Sequence, residues 1–138
     1  MSSNLPSAIA AVITGLATSL VPLQVKAGET WVMASWEMQG EGQPGTLAHE
    51  YDWHGMAYYL DLQSTVRRGD LVFYYDSWIP VNAKKKPVLL WNNKQQKPET
   101  KYLRTANCTT LKVKAKEDGD FKRADPAYRP LIKLACSD

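Results

Sequence analysis

The stretch "STVRRGDLVFYYDSW", Ser64 to Trp78, reads as a tight turn that opens into a strand. Arg68-Gly69-Asp70 supplies the turn: glycine reaches positive φ without strain, and aspartate hydrogen-bonds nearby backbone amides. Leu71 to Trp78 then runs through aromatic and branched apolar residues, which suit a half-buried pleated surface. The same turn spells Arg-Gly-Asp, a tripeptide with an adhesive role elsewhere. Three residues recur often by chance, and these sit where a strand begins, so they are read as structural.

Flanking segments repeat the pattern. "TWVMASW" at 30–36 and "MAYYLDL" at 56–62 are short extended runs, and "VLLWN" at 88–92 is another, bounded by Pro87 and the polar "NNKQQKPE". "TKYLRTANCTTLKVKAK" at 100–116 is too long for one ordinary strand, so a bulge or bend is expected near Asn107–Thr109. Its second half alternates, with Leu111, Val113 and Ala115 on one side and Lys112, Lys114 and Lys116 on the other. "KEDGDFKRADP" is a loop. In "DPAYRPLIKLACSD", Pro130 suits the first turn of a short helix reaching about Ala135. There is no internal repeat and no long amphipathic helix. The expected fold is mainly β: a compact antiparallel curved sheet or small barrel with a short C-terminal helix.

With 138 residues the chain has room for one domain and a leader. Residues 1–27, "MSSNLPSAIAAVITGLATSLVPLQVKA", hold no acid and a single base, Lys26. Their apolar run from Ala8 to Leu23 falls short of the roughly 20 residues that cross a bilayer. "VKA" places small side chains where a signal peptidase cuts. The segment is read as a signal peptide cleaved after Ala27, leaving residues 28–138 as a single β-rich domain, although "MSSNLPS" lacks the usual basic start. An uncleaved membrane anchor and a buried N-terminal helix are the alternatives, and membrane association is expected only if the leader is retained. Removing Lys26 from 17 basic residues leaves 16 against 14 acidic ones. That balance is too small to argue for nucleic acid. Lys84 to Lys86 read as a solvated loop between strands.

The two cysteines, Cys108 and Cys136, form an even set in an exported chain, so a disulfide is expected between them. It would stabilise the domain by about 2–4 kcal/mol. Two isolated cysteines are a poor zinc set. The expected location is extracytoplasmic: periplasm, thylakoid lumen or cell surface.

The order of "TWVM", "YYLDLQSTVRRGDLVFYY", "YLRTANCTTLKVKA" and "AYRPLIKLACS" resembles the surface-adhesin protein E-like family of small exported bacterial proteins. The resemblance rests on Trp31, Asp61, Ser64, Arg67, Gly69, Cys108 and Cys136 and covers most of residues 30–137. Two features depart from it: the segment Glu37 to Gly55 is longer than the family's link, and no Trp precedes the last Cys. The resemblance implies an extracytoplasmic β domain and no catalytic residues. Read from their own chemistry, Asp61, Ser64 and Gly69 are turn residues, with Arg67 or Arg68 in reach of Asp61.

"HEYDWHG", His49 to Gly55, concentrates the remaining chemistry. If extended, it sends Glu50, Asp52 and His54 to one side and His49, Tyr51 and Trp53 to the other. The first three are the only metal-ligating set worth naming, without a recognised spacing. The expected reading is a solvated strand edge with Tyr51 and Trp53 packed on the sheet, after a mobile glycine-rich loop, "QGEGQPGTLA". No nucleophile elbow or phosphate-cradling loop is present, so no enzyme, cofactor or metal is expected. With five Trp and seven Tyr against two Phe, the expected role is binding. The leading expectation is a non-enzymatic cell-envelope protein that binds a protein partner or stabilises an envelope assembly. The candidate surface is Trp36, Tyr51, Trp53, His54, Tyr74 and Trp78. The alternative is a carrier holding a sugar or pigment-like ligand in a Trp/Tyr-lined cleft.

Overall fold

The computed structural model describes residues 29–115 and 118–137. The leader expected over 1–27 lies outside the described residues.

The domain is an open, antiparallel seven-stranded sheet with one short C-terminal helix; it does not close into a barrel. Its strands are β1 (Trp31–Met38), β2 (Gly55–Asp61), β3 (Val66–Arg68), β4 (Leu71–Val81), β7 (Tyr102–Asn107), β8 (Lys112–Lys114) and β9 (Lys122–Arg123). A separate two-stranded ribbon joins β5 (Trp91–Asn92) to β6 (Lys97–Pro98), and the helices are α1 (Leu47–Glu50) and α2 (Arg129–Cys136). The spatial order is β9-β8-β7-β4-β2-β1, and β3 pairs with the start of β4 through the two-residue turn at Gly69-Asp70. Gly69 has a φ of +61°, which explains glycine there.

β4 is the central strand, and its two faces bury different cores. Val72 and Tyr74 face α2 and pack with Leu60, Ala106, Leu131, Ile132 and Ala135. Ile79 and Val81 belong to the opposite face with Ala57 and Tyr59, under Trp31, Met33 and Trp91. The Trp91 and Tyr59 rings lie 4.9 Å apart between centroids, so the β5–β6 ribbon serves as a lid on the second core. A register shift between Met33 and Ser35 changes which alternate residues of β1 face each side. As a result Ser35 pairs with Tyr58, while Trp36 pairs with Ala57 on the face away from α2.

The disulfide is present: Cys108 Sγ and Cys136 Sγ are bonded across a Cα separation of 5.8 Å, tying the last turn of α2 to the end of β7. Among the described residues no helix is long and apolar enough to cross a membrane.

Three expectations are corrected. The 100–116 segment is a hairpin, not a bent strand, because Asn107 Oδ1 accepts from the Thr109 and Thr110 amides and Leu111 adopts a φ of +59°. The run at 88–92 breaks at Leu90, with a φ of +58°, so only Trp91–Asn92 is strand. Asp61 does not pair with Arg67 or Arg68. Its Oδ1 accepts from the Thr30 and Gln63 amides, while Arg67 donates to the Gly69 and Cys136 carbonyls.

Candidate functional site

Asp76 sits in the middle of β4 with its side chain on the α2 face and almost no exposure. A carboxylate buried inside an apolar strand needs partners, and each neighbour in the fold supplies one. Register places Arg104 of β7 opposite Tyr74, one alternation from Asp76. Arg104 Nε donates to both Asp76 oxygens at 3.1 and 3.2 Å. The turn before α2 delivers Tyr128, whose hydroxyl donates to Asp76 Oδ2. Tyr74 and Tyr128 hydroxyl oxygens are 2.7 Å apart. With the Tyr128 proton committed to Asp76, Tyr74 donates to Tyr128, giving the chain Tyr74–Tyr128–Asp76–Arg104.

Burial pushes the Asp76 carboxyl up from the ordinary carboxylate range, against the opposing pull of Arg104 and Tyr128. Burial likewise raises both tyrosines, and the neighbouring Asp76 charge raises them further, so both hydroxyls stay protonated.

Three members of this network, Asp76, Arg104 and Tyr128, line a cleft of about 560 Å³ that is bounded also by residues 113–115, 119–120 and 122–125. Tyr58, Trp78 and Tyr128 form aromatic walls, and Lys122, Arg123 and Asp125 stand around the mouth. Tyr58 and Trp78 are direct cross-strand partners. Tyr58 meets Tyr128 edge-on, at 5.6 Å and 86°. Trp78 is 43% exposed, so its ring is open to a ligand.

The residues expected as a binding surface are not one patch. Trp78 lies in the cleft. Trp36 is exposed on the opposite face, with the Lys85 ammonium 3.8 Å from its ring centroid. Tyr74 is no surface residue, because its position on β4 points it into the α2 core with 0% exposure. Tyr51 is exposed beside α1, and Trp53 is half-buried with its Nε1 unpartnered among the described residues.

"HEYDWHG" is not extended. Thr46 caps α1 by accepting from the His49 amide, and the chain turns at Tyr51 and Asp52, where φ is +58°. His49 and Glu50 are exposed at the end of α1, while His54 Nε2 meets Asp52 Oδ1 at 2.8 Å. The turn therefore separates Glu50 from the other two proposed ligands. Among the described residues no group of three His, Cys, Asp or Glu is placed to hold a metal.

Sequence reading missed Asp76, Arg104, Tyr58 and Tyr128. One signal was there: an aspartate flanked by apolar and aromatic residues in a central strand is a buried charge in search of a cation. Which cation is set by cross-strand register, which a single sequence does not display. Compared with models of protein families, with curated proteins and with solved structures, the chain gives no match.

Proposed function

We propose that the protein is an exported, non-enzymatic binding protein of the extracytoplasmic space whose cleft beside Trp78 holds a small ligand. The observation that carries this reading is the cleft itself, whose lining combines the aromatic rings of Tyr58, Trp78 and Tyr128 with the hydrogen-bonded Asp76, Arg104 and Tyr128 groups. Small-molecule sites are concave, typically about 300–1,000 Å³, largely aromatic or apolar, and oriented by a few fixed polar groups. Export is supported by the signal-like leader and by the disulfide. Kinship with the surface-adhesin protein E-like family belongs to the same proposal.

Tryptophan emission titrated with a panel of monosaccharides, sugar acids and aromatic acids tests it. A saturable change is expected in the native chain and its loss in Trp78→Leu, with the disulfide and the thermal transition retained. A panel that moves neither emission nor melting temperature overturns the reading.

Partner binding keeps one specific observation: Trp36 and Met38 are exposed on the same face of the edge strand β1. Trp36→Ser is expected to abolish capture of an envelope protein while leaving ligand titrations unchanged. Unchanged capture by that variant removes the partner reading at this edge.

A further inference from the structure

We infer that the ligand of this cleft is a carboxylate-bearing ring, its carboxylate seated on the terminal nitrogens of Arg104 and its ring on Trp78. The inference rests on the cleft being a ligand site and adds what the site selects.

A guanidinium has five N–H donors, and the network uses only the one on Nε. Among the described residues neither terminal nitrogen of Arg104 has a hydrogen-bond partner, yet the side chain lines the cleft and is one-fifth exposed. Its orientation is fixed from two sides. Asp76 holds Nε, and the Tyr102 ring lies beneath Cζ at 5.3 Å. Two parallel N–H groups on a planar, immobilised fork match the two oxygens of a carboxylate, a geometry that an ammonium does not reproduce.

Charge alone draws an anion only weakly here, because the lining's four cations, Arg104, Lys114, Lys122 and Arg123, face three carboxylates, Asp76, Asp120 and Asp125. Selection therefore comes from directed donors inside the cleft, and a diffuse polyanion gains little from it. The cleft's walls set the remainder of the ligand. Trp78 presents an exposed ring face, and the Tyr58 hydroxyl, without a hydrogen-bond partner among the described residues, is available to a ring substituent. A ring with an acid group satisfies these together, whether a sugar acid or an aromatic acid.

Two matched pairs separate the terms: glucuronate against glucose, and benzoate against benzamide. Each is titrated by tryptophan emission against the native chain, Arg104→Lys and Trp78→Leu. The lysine variant keeps a cation beside Asp76 and removes the fork. At least one acid is expected to bind the native chain tenfold or more tighter than its neutral partner. Arg104→Lys is expected to erase that ratio with near-UV circular dichroism unchanged, and Trp78→Leu to weaken both members of the pair. Binding of neutral and acid forms alike, or a preference that survives in a folded Arg104→Lys, overturns the carboxylate assignment while leaving the cleft as a ligand site. If Arg104→Lys fails to fold, the acid-to-neutral ratio of the native chain decides alone. Absence of binding by all four probes overturns both readings.

Discussion

Asp61 and Asp76 are both buried carboxylates, and their partners differ. Among the described residues Asp61 has no cation bonded to it; its Oδ1 caps the short 3₁₀ turn Leu62–Ser64, and its Oδ2 is buried with no partner there. Burial raises its pKa above the ordinary carboxylate range. The folded chain then binds a proton at Asp61 more readily than the unfolded chain. This group's stabilising effect is present in full below about pH 4, the unfolded value, and is lost as pH rises through the folded value. Asp61→Asn keeps the Oδ1 acceptor and removes the charge. It is expected to be no less stable than the native chain at pH 7 and to flatten the decline in stability between pH 4 and neutrality, measured by urea unfolding at a series of pH values. Asp76 is bound to Arg104 and Tyr128, so truncation acts in the opposite direction. Asp76→Ala leaves both donors without the buried acceptor they share. A loss of about 2–4 kcal/mol is expected, the upper figure being limited because Arg104 is partly exposed. Chemical denaturation of the purified variant measures it.

α2 connects the disulfide to the cleft. Its first turn follows Tyr128, its apolar face inserts Leu131, Ile132 and Ala135 into the core, and its last residue is Cys136. Arg67 also donates to the Cys136 carbonyl at 3.0 Å. Opening the Cys108–Cys136 bond removes a covalent restraint on the end of the helix that positions Tyr128. Reduction is expected to cost about 2–4 kcal/mol and to weaken ligand binding in the cleft more than it weakens the far β5–β6 face. Thermal melts with and without reductant read the first effect, and hydrogen exchange on β7, α2 and β5–β6 reads the second. The strands read at 30–36, 56–62 and 71–78 were legible because composition and turn residues agree along each, although β4 continues through Pro80 to Val81, and α2 was legible from Pro130. The 100–116 hairpin was not, because its reversal depends on the Asn107 side chain and on Leu111 accepting a left-handed backbone. "HEYDWHG" was misread for a related reason: Thr46, three residues upstream of His49, starts a helical turn within a stretch whose composition looks like loop. The cleft was hardest to see, since Asp76, Arg104 and Tyr128 lie far apart in the chain and meet only through β4–β7 register and the docking of α2.

The domain as a whole buries apolar side chains on both faces of one sheet, with α2 closing one core and the β5–β6 ribbon the other. A sheet covered on both faces has little need of a crosslink to exclude water, so the disulfide's contribution is to hold a terminal helix that has only eight residues. A helix of that length is marginal by itself and depends on docking. An oxidising destination therefore matters to this fold through one element, and it matters for the cleft because the N-cap of that element is Tyr128, whose hydroxyl bonds Asp76. If the leader directs export, the chain recovered from the extracytoplasmic fraction of a bacterial host should begin at Gly28, carry no free thiol, and melt higher than the same domain made without residues 1–27 in a reducing cytosol. Intact mass gives the cleavage site and thiol titration gives the oxidation state. After oxidation in vitro the cytosolic domain should regain both the higher melting temperature and the ligand-dependent tryptophan signal. An uncleaved chain with both thiols free in the exporting host would remove the extracytoplasmic assignment, while equal melting temperatures of the oxidised and reduced domains would remove the helix-restraint account and leave the location untouched.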